Sequence, residues 1–386
     1  QIAIAHILQA WTFQNMTDMW GPIPFTDALN GRDGNFSPGY TGQQEIYTAL
    51  IDSLSAASQM IDTGSPTFAQ NDLIFGGDMS KWKKFANALK MRLAMRMSDQ
   101  MPDAAATAID EAIQAGPFDS NADNALQPFN TSPPYQNPFF ENYEVSGRDD
   151  WTIPESILGV MNELDDPRRA SYFTDANPDT PEAEFNGFPY GLPGGEAQQL
   201  FTSENFSRPG TRVRQANSPM IMMLYDEVLF IKAEAALRSD MNVPSITKTG
   251  EQLYRDAITA SMNYWGVTDQ AAIDDFLSRV EMPTASNYRQ VLGTQKWIAQ
   301  YMQGMQGWST FRRMDFENVF QVPKGDPGDD LFGQSFPVRM SYPTDESTLN
   351  ESNLQAAISN MLGGSGASND NQGVQLWWDV NPSPNP

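Results

Sequence analysis

The stretch Ser218–Ser239, SPMIMMLYDEVLFIKAEAALRS, is the feature that most limits what this chain can become. Ser218 is a good N-cap, and Pro219 falls where a first-turn proline is tolerated, because its missing N–H would be unpaired there anyway. Ile221, Leu224, Val228, Ile231 and Ala235 recur at helical spacing, and Met222, Leu229, Ala233 and Ala236 make a second apolar line. Two such lines predict a helix covered on two sides and lying between other helices. Ala233, Ala235 and Ala236 are small enough for a neighbour's backbone to come close, while Glu234 and Arg238 pair at i,i+4 on the remaining wet face. Past a polar insertion, Glu251–Gly266 supplies a partner helix with Leu253, Ala257, Ile258 and Met262 turned inward. The layout is a helix pair of the tetratricopeptide kind, with a longer connection than that repeat has.

The chain is long enough, at 386 residues, to bury a sizeable core. No run approaches the ~18 apolar residues of a membrane span. Forty-eight acidic against twenty-four basic residues give a net charge of −24, a surface that repels nucleic acid and anionic lipid. Cysteine is absent, which removes disulfides, thiolate metal sites and cysteine nucleophiles together. The single histidine, His6, sits beside Ile7 and Leu8 in an amphipathic helix, where it reads as a packed or surface residue. Histidine triads and multi-histidine metal sites are therefore not expected, and neither is a cofactor. Any chemistry would have to come from carboxylates.

In chain order, Gln1–Met19 is helical in pattern, and Trp20-Gly21-Pro22 ends it. It has no charged leader before it, so the expectation is a trimmed piece of a longer precursor. Gln43–Asp62 gives a second helix. Asp78 or Ser80 caps a third, whose buried face is Trp82, Phe85, Leu89 and Leu93. Six of the basic residues crowd between Lys81 and Arg96, and in so acidic a chain they read as salt bridges to neighbouring helices. Asp103–Ala115 is the partner, stopped by Gly116 and Pro117. Further helices are expected at Ala272–Arg279, from Tyr288 with a core at Thr294–Phe316, and at Glu351–Leu362. The acidic Lys324–Gly333 segment does not fit EF-hand spacing and reads as a solvated loop. The fold class is all-α, as one domain over 1–386: a scaffold at 1–116 and 218–316, a loop-rich face at 117–217 and an irregular end at 317–386.

Between Phe118 and Asn217 helical periodicity mostly vanishes, apart from a short helix at Glu155–Leu164. A disordered linker would be poor in aromatic residues, yet this segment carries Phe129, Tyr135, Phe139, Phe140, Tyr143 and Trp151. Long ordered loops in compact proteins are usually functional. Most of these rings are expected to pin the loop onto helices, and some to meet a ligand. Phe139, Phe140, Tyr143 and Trp151 are the candidate platform, with Arg148, Asp149 and Asp150 as polar partners. The Arg148–Asp150 run reads first as a salt-bridge node that fixes the loop, and second as ligand contact.

Taken together, WGPIPF, the GDMSKWKKFANALKMRLAMRMS helix, GRDDW, LFIKAEAALR, QKWIAQYMQGMQGWSTFRR, YPTDESTLN and the terminal LWWD resemble the SusD/RagB family of outer-membrane nutrient-binding lipoproteins. The motifs follow the family's order over nearly the whole chain. Family members carry a signal peptide, a lipidated cysteine and initial helices ahead of the equivalent of Ile2, and this sequence has none of the three. The resemblance implies helix pairs as scaffold, long loops as ligand face, and no catalysis. It also implies a glycan as ligand, a SusC-like TonB-dependent transporter as partner, and a lipid anchor on the extracellular face of the outer membrane. A peptide-binding adaptor on helical repeats and a helical glycoside hydrolase with two carboxylates remain the alternatives.

Overall fold

The computed structural model describes residues 1–64, 68–317, 319, 336–361 and 370–380; the Lys324–Gly333 segment lies outside them. The fold is mainly helical. Its frame consists of α1 (Ile2–Trp20), α2 (Gln43–Met60), α3 (Met79–Arg96), α4 (Pro102–Ala115), α5 (Tyr225–Leu237), α6 (Gly250–Tyr264), α7 (Gln270–Arg279), α8 (Tyr288–Ala299) and α9 (Gly304–Met314). Consecutive helices pack side by side as α1–α2, α2–α3, α3–α4, α5–α6 and α8–α9, which is the helix-pair layout expected. Asp78 caps α3 by accepting from the N–H groups of Ser80 and Lys81, and Thr249 and Gln252 form a reciprocal capping box at α6.

The helix expected from Ser218 begins only at Tyr225. Met220–Met223 is instead a strand paired antiparallel with Ala125–Gln127. The four methionine and isoleucine residues satisfy their backbone through that distant partner, and Asn124 accepts the Tyr225 N–H at 2.7 Å where α5 starts. Two-sided packing of α5 does hold. Val228, Ile231 and Ala235 enter one core with α1–α4, while Leu229, Phe230 and Ala233 enter a second with α6–α9. The Glu234–Arg238 pair is present at 3.6 Å but is not on a wet face, since both side chains are buried. Arg313 binds the Glu234 carboxylate with two hydrogen bonds, at 2.7 and 2.6 Å, and this removes the need for water there.

Further along, the expected Thr294–Phe316 helix is two helices. The break comes at Gln300–Gln303, where Met302 takes a left-handed φ of 67°, and Gly304 opens α9 rather than loosening it. Gly307 lies inside α9 with the Trp297 indole against it, 3.4 Å from where a Cβ would stand. On α1 the buried face is Ala3, Ile4, Ile7, Ala10 and Phe13, with Leu8 and Trp11 only partly covered. The basic cluster of α3 does form salt bridges: Lys84 to Asp123, Lys90 to Glu111, Arg92 to Glu227 and Arg96 to Asp18. Near the C-terminal end Trp378 is fully buried, with the Arg312 guanidinium 4.8 Å over its ring.

Two outcomes follow for stability. Leu229→Ala opens a hole in the α5–α6 core and is expected to cost about 2–5 kcal/mol in denaturant unfolding; a loss near zero would place α5 at the periphery. The second concerns Asp379, buried beside Asp315, Arg312 and Asp99. Burial first, then Asp315, pushes its carboxyl from 3.8 up to about 8, with Arg312 opposing. The folded chain thus keeps a proton that the unfolded chain releases. This stabilisation is full below the unfolded value and is lost as pH rises through the folded one. Relative to the parent, Asp379→Asn should gain stability steadily between roughly pH 4 and pH 8. A difference that stays flat with pH means that Asp379 is ionised throughout.

Candidate functional site

The 137–151 loop is built from its first residue. Asn137 is buried, its side-chain oxygen accepts the Phe139 N–H at 2.8 Å, and Pro138 fits the first turn of the short Pro138–Phe140 helix. The Asn137 N–H donates to the Ala216 carbonyl at 2.7 Å, and its amide donates to the Ser218 carbonyl at 2.9 Å. The loop is thereby tied to the 210–218 segment at its root. A wide turn at Glu141–Val145 follows, then Gly147 at a φ of 61°, which turns the chain back. The Arg148 N–H closes this turn on the Asn142 carbonyl at 2.9 Å.

The seven candidate residues do not all come together. Trp151 is the ring that reaches solvent, 42% exposed. Phe139 meets it edge-on with centroids 5.0 Å apart and is itself packed against a core of Ile157, Leu158 and Tyr172. Tyr143 stands 6.2 Å from Trp151 and donates its hydroxyl to the Trp151 carbonyl; burial and then Asp149 push that hydroxyl up to about 12. Phe140 is half-buried and makes no ring contact with this group among the described residues. Arg148 and Asp150 pair at 2.7 Å in the open, and Asn142 donates to Asp150 at 2.9 Å. Asp149 turns away from them to Arg208, at 2.7 Å.

Sequence reasoning missed the arginines that hold this platform in place. Arg208 lies 4.9 Å over the Phe201 ring while binding Asp149, and Arg214 lies 5.1 Å over Tyr143 with Glu144 at 3.7 Å. Their signal was available as Arg208, Arg212 and Arg214 within one short stretch of a strongly acidic chain. A helix at Gly194–Ser203, also missed, brings Phe201 to Arg208. The result is a shelf: one exposed indole, two rings that fix its tilt, and a rim of charged and amide groups already held by one another. Exposed ion pairs leave carboxylate lone pairs open to further donors.

Two hollows flank other loops. An apolar groove of about 520 Å³ runs between α1 and the Tyr342–Glu346 segment, with Trp20, Leu29 and Tyr40 in its wall. Tyr40 is held there edge-on to Tyr342 at 5.4 Å and donates to Glu346 at 2.5 Å. A more polar pocket of about 470 Å³ lies among Arg212, Gln215, Asn217, Tyr264 and Trp265. Among the described residues, no group of three or more His, Cys, Asp or Glu could hold a metal ion.

With this geometry in view, the chain's relatives are informative. The profile of the SusD-like family described as starch-binding and associating with the outer membrane matches residues 1–343, and the chain belongs to that family. Among solved structures it is similar to a SusD homologue from Bacteroides uniformis, at 27% identity and a TM-score of 0.83, over 98% of this chain and 81% of that one. It is also similar to a chitin-binding SusD homologue from Flavobacterium johnsoniae, at 27% identity and a TM-score of 0.81, over 99% of this chain and 81% of the other. A third, a chitin-binding protein, shares 26% identity with a TM-score of 0.82 over 98% and 81% of the two chains. A search of curated proteins finds no match.

The local ion pairs order the shelf without supporting the frame. Asp149→Asn is expected to change global unfolding by less than about 1 kcal/mol, as for other exposed pairs, while amide exchange speeds up across residues 146–151. A loss of several kcal/mol would make the pair part of the frame.

Proposed function

We propose that this chain is a non-catalytic, cell-surface glycan-binding protein that captures oligo- or polysaccharide. It then passes the sugar to a SusC-like TonB-dependent transporter, while an N-terminal lipid anchor holds it on the extracellular face of the outer membrane. The observation that carries the binding reading is the exposed Trp151 ring set between Phe139 and Tyr143. A sugar ring has an apolar C–H face that a flat indole can cover, and a rim of hydroxyls that carboxylates, amides and guanidinium groups can bond. Asp150, Arg148 and Asn142, in the same loop as Trp151, are already bonded to one another, which lowers the ordering needed on binding. Family membership and two chitin-binding structural relatives point the same way.

Support for a non-catalytic role comes from the carboxylates. A cavity of about 310 Å³ is lined by three carboxylates, Glu163, Glu281 and Glu317. All three are exposed to solvent, whereas a glycosidase acid is held neutral by an apolar enclosure. No described helix is long and apolar enough to cross a membrane, which suits an external cap fixed by a lipid.

Calorimetry against a glycan array, with unfolding curves alongside, tests the reading. Trp151→Ala should weaken binding about 30-fold, the scale of a lost aromatic hot spot, and leave the unfolding midpoint in place. Tyr143→Ala and Phe140→Ala are compared with it. Normal binding by all three variants would move the site to the Tyr40 or Tyr190 loops. Release of reducing ends on long incubation would make the chain an enzyme. Pull-down of the lipidated protein should bring a barrel transporter with it, and its repeated absence would argue for a free-standing binder.

A further inference from the structure

The arginines of the loop face are not equivalent. Arg148, Arg208 and Arg214 each have a carboxylate partner, namely Asp150, Asp149 and Glu144. Arg212 has none among the described residues. Its guanidinium is held by ring faces instead, 5.1 Å over Tyr264 and 5.5 Å over Trp265. Gly266, at a φ of 90°, lies directly beneath: a Cβ there would come 3.4 Å from the guanidinium nitrogen. Stacking of this kind leaves a cation's charge uncancelled, and the Tyr264 hydroxyl takes up only part of the guanidinium's N–H edge. In a chain of net charge −24, Arg212 thus presents a positive charge that no carboxylate cancels locally.

The pocket that Arg212 enters is about 470 Å³, within the usual range for small-molecule sites. No carboxylate lines it. Gln215, Asn217 and Ser218 supply amide and hydroxyl groups, Tyr264 and Trp265 an aromatic wall, and Leu126 and Ile221 an apolar floor. Met302, left-handed at a φ of 67°, borders it, and backbone strain of that kind gathers at ligand sites. The wall at 215–218 is pinned to the Trp151 loop through Asn137, and Arg214 within the same segment lies over Tyr143. One segment therefore carries both the pocket wall and a support of the aromatic shelf.

We infer that the Arg212 pocket takes the carboxylate of an acidic sugar, so that the glycan captured by this protein contains uronic-acid units. The inference rests on the glycan reading above and narrows it. A planar carboxylate matches the two-pronged edge of one guanidinium, and the amides and hydroxyl match the ring hydroxyls of the same sugar. A phosphate dianion would call for a second cation, which the pocket lacks.

Galacturonate and glucuronate tetrasaccharides, each beside its methyl ester, test this by calorimetry. The ester keeps the skeleton and removes the charge. At least one acid should bind about ten-fold or more tightly than its ester, the scale of a charge-assisted hydrogen bond. Arg212→Gln should bring that acid down to near the level of the ester and shrink the acid-over-ester ratio to about one, with an unaltered unfolding midpoint. Arg212→Lys should fall between the two. Equal binding of acid and ester, or a preference that survives Arg212→Gln, overturns the inference. So does an Arg212-dependent preference for peptides with a free C-terminal carboxylate over these sugars. If neutral glycans bind and no uronate does, the inference falls and the glycan reading stands. If no glycan of either kind binds, both fall.

Discussion

The two glutamates on the inner side of α5 fix how this fold is put together. Glu227 and Glu234 are both buried, and each is met by an arginine from a different helix: Arg92 of α3 at 2.6 Å and Arg313 of α9 at 2.6 Å. Burial alone would raise both carboxyl groups, but the arginines more than offset it and hold them below their ordinary values. Arg238 and Asp99 extend the second pair, at 2.7 Å, and Lys296 of α8 sits buried near both glutamates. Such pairs add little to net stability compared with an apolar core of equal volume, but removing one partner leaves a buried charge at a cost of about 3–5 kcal/mol. Their effect is on choice. Apolar stripes let α5 pack in many registers, whereas these bidentate contacts are met in one.

That constraint also explains how a long stretch without regular structure is held in a defined shape. Tyr172 stacks on Tyr301 at 4.3 Å, meets Trp265 at 4.7 Å, and donates to the Ile298 carbonyl at 3.1 Å. Arg168, fully buried, binds Asp166 and reaches Gln295 of α8 at 2.8 Å. The loop region is thus fastened to α6 and α8, the helices that the charge network positions. Rings such as Phe139 then complete a core from the outside, and Trp151, one step further out, is left half uncovered.

What the sequence showed, and what it hid, follows the range of the interactions concerned. Helices α1–α4 and α6 were legible because their apolar spacing, caps and stops are local. The start of α5 was not, since Met220–Met223 has apolar residues that suit either a helix or a strand, and its partner Ala125–Gln127 is far away in sequence. Glu234 and Arg238 were read as wet because polarity normally marks the surface, and nothing near them in sequence announces Arg313 or Asp99. At the site, the aromatic loop and its role as a salt-bridge node were legible from composition. The pairing of Asp149 with Arg208, rather than with a neighbour in its own loop, depends on a helix at Gly194–Ser203 whose apolar pattern is weak.

The distribution of arginine finally decides what this surface can attract. Arg92, Arg96, Arg168, Arg313 and Arg339 are buried, and each is paired with a carboxylate inside the molecule. The outer field follows the net charge of −24 and is strongly negative, felt by polyanions out to a Debye length of about 8 Å at physiological salt. On the reading proposed above, a neutral glycan would ignore that field and answer only to stacking and hydrogen bonds at the Trp151 shelf. On the uronate inference, a sparsely charged glycan would meet weak repulsion at long range and the Arg212 guanidinium at contact. A densely charged polymer such as nucleic acid is repelled along its whole length, with too few exposed cations to compensate.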